Sequence, residues 1–169
     1  MKIKPIVFLI VIAFSAIAIA MSFTTKNKHS IVGAWRIVEV KTVKTDGTYS
    51  SVSPKESEAI FMGSYYSLCW TSHDFKLRSW QVADSVKLSR FNQSIVNTGT
   101  FTLKDSILTT KAAFAMSPMF SNGGVAKFKC SFQGDTLVLK GLSVVSSENI
   151  SHPAYASGTH FVSKLVKID

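Results

Sequence analysis

Residues 125–132 show the clearest alternation in the chain: Ala126, Phe128, Cys130 and Phe132 fall on one side, Lys127, Lys129 and Ser131 on the other. A period of two marks a strand with one apolar face and one wet face. Gly134-Asp135 then signals a turn and 136–140 (TLVLK) returns, which predicts a tight antiparallel hairpin. The same pattern predicts strands at 34–44, 49–52, 74–83 (DFKLRSWQVA), 99–104, 106–110 and 159–167, and one long strand at 58–71 (EAIFMGSYYSLCWT). Turns are expected at Asp46-Gly47 and Lys104-Asp105. Residues 85–96 suit a short helix or a loop crossing a barrel mouth, and 112–119 suit either state until Pro118 and Asn122-Gly123-Gly124 end them. Eight to ten short strands in 169 residues predict an all-β domain, either a closed antiparallel up-and-down barrel or a sandwich.

The N-terminus has a different grammar. Lys2 and Lys4 precede 6–20, where Ser15 is the only polar residue, and the run ends in Ala18-Ile19-Ala20. Two lysines, an apolar stretch and small residues predict a secretory signal peptide cleaved after Ala20. The expected organisation is a signal peptide at 1–20, a polar leader at 21–30 and a barrel domain at 31–169. That predicts export to the periplasm or the cell exterior. The alternative is an uncleaved helix anchoring the domain to the inner membrane, because the apolar stretch continues to Phe23. No cysteine stands near the junction to take a lipid.

With 46% hydrophobic and 17% charged residues, the chain is neither a disordered polar segment nor a multi-span membrane protein. Lysine and arginine number 19 against 10 acidic residues, a net charge of +9, and cleavage would remove only two lysines. A basic surface favours anionic partners such as a membrane surface, polyanionic glycans or acidic small molecules. The alternative is a solvated face, since the lysines form no block of like charge. Export disfavours a nucleic-acid partner.

Cys69 and Cys130 are the only cysteines. As a disulfide they would close a long loop worth about 4 kcal/mol; two free thiols on neighbouring strands would read the same way. Neither lies in a CxxC or beside a histidine, so redox or nucleophilic chemistry has no support. His29, His73, His152 and His160 lack metal-ligand spacing, and no nucleophile elbow, phosphate loop or dinucleotide fingerprint occurs. No metal or other cofactor is expected, and the chain is not read as an enzyme.

Gly33-Ala34-Trp35, followed by Asp46-Gly47, 59–67 (AIFMGSYYS), 97–110 (NTGTFTLKDSILTT), Ser117-Pro118-Met119 and 132–139 (FQGDTLVL), resembles bacterial lipocalin-like domains across nearly the whole of 31–169. The resemblance implies an eight-stranded barrel with a pocket, Trp35 covering its closed end, and a basic residue of the last strand, Lys164 or Lys167, stacked on that indole. It departs from animal lipocalins in lacking an arginine after Arg90 and their second aromatic motif. It implies no single ligand or reaction.

An eight-stranded barrel has room for packed side chains or one small ligand. Candidate ligand contacts are Trp35, Ile37, Glu39, Phe61, Tyr65, Arg78, Trp80, Phe101 and Phe128. Glu39 shares parity with Trp35, and Arg78 with Trp80, so if both point inward Glu39 and Arg78 could fix a polar head group or satisfy each other. The expected function is burial of a small apolar or amphipathic molecule in the lumen. The alternatives are an interaction module with a filled core and a basic surface, and a small barrel isomerase or cyclase using Glu39, Tyr65 or Arg78.

Overall fold

The structure, a computed structural model, describes residues 30–76 and 79–168. The expected signal peptide, nearly all of the polar leader, and Arg78 lie outside the described residues. The strands are β1 (Gly33–Val43), β2 (Tyr49–Val52), β3 (Glu56–Met62), β4 (Tyr65–Thr71), β5 (Ser94–Lys104), β6 (Ile107–Ala115), β7 (Val125–Gln133), β8 (Thr136–Val145) and β9 (His160–Lys167). Helix α1 (Asp84–Asn92) precedes β5 and the single turn α2 (Pro153–Ala156) precedes β9. Neighbouring strands run antiparallel, and β1 pairs with β9 as well as with β3. The sheet is therefore a closed eight-strand barrel with one extra strand, β2.

β2 and β3 share one edge of β1. β2 pairs with Val40–Val43 and β3 with Gly33–Trp35, which leaves the middle of β1 without a backbone partner on that side. Ser57 bridges the gap: its hydroxyl donates to the Ile37 carbonyl at 2.9 Å and accepts from the Ile37 N–H at 3.1 Å. A side chain thus supplies the two hydrogen bonds that a continuous strand would have made.

The ends of the barrel differ. The hairpins β3–β4, β5–β6 and β7–β8 turn in two residues each at the end where β1 starts, and the connections 72–93, 116–124 and 146–159 all lie at the other. Trp35 closes the tight end. It is 2% exposed, its Nε1–H donates to the Ile31 carbonyl at 2.7 Å, and Lys167 Nζ stands 5.7 Å from the ring centroid. Phe132 packs on the same indole at 6.3 Å, and Phe61 meets Phe101 edge-on at 5.4 Å. Leu108, Leu137 and Leu165, each no more than 1% exposed, fill the space between.

Three expectations change. The strand expected at 58–71 is a hairpin, because Gly63 takes φ 57° and turns the chain between Met62 and Tyr65; glycine adopts that angle without steric cost. The turn reverses parity, so Tyr66 and not Tyr65 lies opposite Phe61. Of the strand expected at 74–83, none of the described residues joins the sheet, and α1 follows them. The register of β1 on β9 shifts between Ile37 and Glu39, so Glu39 no longer alternates in step with Trp35.

Candidate ligand site at the α1 end of the barrel

Helix α1 is held at its edges. Asp84 in the first turn pairs with Lys87 at 2.8 Å, and Arg90 in the last turn reaches Glu56 on β3 at 2.9 Å and lies 5.4 Å from the Phe75 ring. The acid at the start and the base at the end suit the helix dipole. The helix is anchored beyond Asn92 by Gln93, whose carbonyl accepts from the Ser72 N–H at 3.0 Å and from the Thr71 hydroxyl at 3.2 Å.

No residue of α1 is buried. Leu88 is 61% and Phe91 46% exposed, an uncommon state for a helix in a compact domain, whose stability comes mostly from a covered apolar face. Between α1 and the ends of β3, β4 and β5 lies a groove of about 630 Å³. Trp70, Val82, Val86, Phe91, Val96 and Met116 form its apolar walls, with Ser57, Glu56, Glu58, Cys69, Arg90 and Ser94 among them. The Ser94 Oγ is buried and has no hydrogen-bond partner among the described residues. An unanswered buried hydroxyl costs about 1–3 kcal/mol, so a ligand bringing a donor or acceptor there has a place to act. A second cavity at this end, about 240 Å³, lies between Met119, Phe120, Val145 and Ile150.

The residues picked out from sequence separate. Trp35, Ile37, Phe61 and Phe101 come together in the packed interior, and Phe128 packs against them. Glu39 does not join them. It lies opposite Lys164, which pairs with it at 2.9 Å; Ser51 donates to it at 2.9 Å and Lys41 lies 3.6 Å away. These hydrogen bonds from Lys164 and Ser51 hold its carboxyl below the usual range. Tyr65 is 67% exposed on the hairpin, and Trp80 stands wholly in solvent. Arg78 lies outside the described residues.

Tyr66, missed in the sequence, is 3% exposed inside the barrel, and burial pushes its phenol up to about 12. The neighbouring Thr110 hydroxyl is directed at the Ala126 carbonyl, so the phenol has no full hydrogen bond among the described residues. Gly63 was the signal that would have found Tyr66. On the α1 side of the groove, Val82 just before the helix and Val86 within it stand four residues apart, one helical turn, and that spacing is the sequence signal for this wall.

Cys69 and Cys130 are both free. They sit on β4 and β7, which two strands separate, with Cys130 in the packed interior and Cys69 on the groove wall. The disulfide reading fails on that separation. Among the described residues, no three His, Cys, Asp or Glu side chains gather as a metal ion would need.

No protein-family model matches the chain, and a search of curated proteins finds no match.

Proposed function

We propose that the protein is an exported carrier of one small amphipathic molecule, held in the groove beneath α1 and not catalytically transformed. The observation that carries this is the groove itself: a helix with no buried residue, apolar walls from both sides, and the unanswered Ser94 hydroxyl. The apolar part of the ligand would lie between Trp70 and Phe91, and its polar end near Ser94 and the Glu56–Arg90 pair. Covering these walls supplies affinity, and the few polar groups set orientation.

Two further features support the reading. The N-terminal run suits export, and the lipocalin-like pattern of Gly33 and Trp35 is accompanied by the stacked lysine, Lys167. The second reading, an interaction module with a filled core, draws support from the packing of Trp35, Phe61 and Leu165, which leaves the tight end of the barrel occupied by the protein's own side chains.

A homologous series of fatty acids and alkyl amines tests the first reading, with native mass spectrometry and Trp fluorescence as readouts. Affinity should rise about fourfold per added methylene until the groove is full. Val86→Asp should abolish this dependence while the barrel stays folded. Repeated preparations without a co-purifying molecule, and no dependence on chain length, would favour the interaction module.

A further inference from the structure

We infer that the outer face of β5–β8 is a docking surface for an anionic lipid bilayer. The charges of the barrel are segregated. β1 and β3 carry Glu39, Glu56 and Glu58, whereas β4 to β9 carry no acidic residue at all. On β5–β8, Lys104, Lys111, Lys127, Lys129 and Lys140 are all exposed, and none of their ammonium groups makes an ion pair or hydrogen bond with another described residue.

The register places these lysines together. Lys104 lies opposite Ile107, Ile107 opposite Lys129, and Lys129 opposite Lys140, so three lysines occupy one row across four adjacent strands. Lys127 lies two positions from Lys129 on the same face, and Lys111 lies beside Val125. Strands stand about 4.8 Å apart, so the Lys129 and Lys140 stems start within about 5.5 Å of each other. Like charges directly opposite on neighbouring strands destabilise a sheet. An anionic partner would relieve that repulsion. Asp105 and Asp135, in the turns at the end of this face, form no ion pair with it.

The chemistry of the face selects the partner. All five cations are lysines, which act as point charges and lack the planar fork that reads a phosphate bidentately. Of the aromatic residues of these strands, Phe101, Phe128 and Phe132 pack in or against the interior, and Phe114 on β6, 57% exposed, is a single open ring, too little for successive bases to stack on. It is the outside of a barrel, and none of the five lysines lines either of the two cavities described above. Leu142, left over by the register shift of β8 on β7 and 47% exposed, projects beside Lys140. Flexible lysine stems around one aliphatic side chain suit the charged, diffuse surface of anionic lipid headgroups.

The test is co-sedimentation of protein expressed from the full sequence with vesicles of phosphatidylcholine alone or mixed with phosphatidylglycerol. The N-terminal segment is common to all variants and the neutral vesicles report its contribution. Phosphatidylglycerol should increase binding, and added salt should reverse the increase. Each lysine near the surface is worth about fivefold in affinity, so K127Q/K129Q/K140Q should lose on the order of a hundredfold. K44Q/K55Q/K76Q makes the same change in net charge elsewhere and should bind like the parent. Equal binding to both vesicle types, equal losses in the two triple variants, or binding to a soluble sulfated glycan in place of vesicles would each overturn the inference.

Discussion

Ser57→Ala removes one oxygen and tests how the barrel tolerates its split strand. Ser57 is partly buried, and its Oγ makes the two hydrogen bonds that complete Ile37, whose side chain is 2% exposed. Alanine leaves the Ile37 N–H and C=O without these partners in a region that water reaches poorly. At about 1–1.5 kcal/mol for each lost bond, the expected destabilisation is about 2–3 kcal/mol. For a domain of this size that lowers Tm by roughly 6–12 °C. Urea unfolding followed by Trp fluorescence reads the change as a shift in midpoint at constant slope. Ser57→Thr retains the hydroxyl on a side chain suited to strands and should keep most of the stability, whereas Ser131→Ala, on the exposed face of β7, should change little. A loss below about 0.5 kcal/mol in Ser57→Ala would show that the backbone of β1 finds other partners, and the bridging role would be wrong.

Glu39 has a lowered folded pKa, so its contribution to stability is complete above its ordinary value of 4.5 and is lost as pH falls through the lowered one. Glu39→Gln should therefore be less stable than the parent at about pH 7, with a gap that narrows as pH falls below Glu39's ordinary value of 4.5; a gap independent of pH would show that its charge is not the source. Thiol titration should count two free thiols in denaturant without prior reduction. In the native protein Cys130 should stay silent, buried with its thiol pushed up to about 11, while Cys69 reacts. A thiol count that rises only after reduction would contradict the separation of the two strands.

The barrel was legible wherever polar and apolar residues alternate cleanly. Residues 125–132 mark β7 because lysines alternate there with side chains turned to the interior, the turn at Gly134-Asp135 and the apolar run 137–139 mark its partner β8, and 49–52 matches β2. The candidate site was harder to read for local reasons. In 58–71 both parities are apolar, so the alternation is silent about the reversal and Gly63 alone marks it; read without that turn, the pattern sets Tyr65 and not Tyr66 in step with Phe61. The register shift after Ile37 adds a residue to β1 without any glycine to announce it, and it carries Glu39 away from the interior to Lys164. Residues 74–83 alternate as a strand would, yet no neighbouring edge receives the described ones, 74–76 and 79–83. Pairing is a property of the whole sheet, and a single segment does not encode it.

The seam between β1 and β9 carries a kinetic consequence. Trp35 lies opposite Lys167, and Val43 opposite His160, so the ring of backbone hydrogen bonds closes only when the eight residues of β9 reach the first strand. Nearly the full length of the domain must be looped back before that contact forms, an entropic demand that slows folding. During synthesis the nascent sheet would wait with two unpaired edges, each a template for another chain. A truncation before His160 would make that transient state permanent, so its product should aggregate and not persist as a looser monomer.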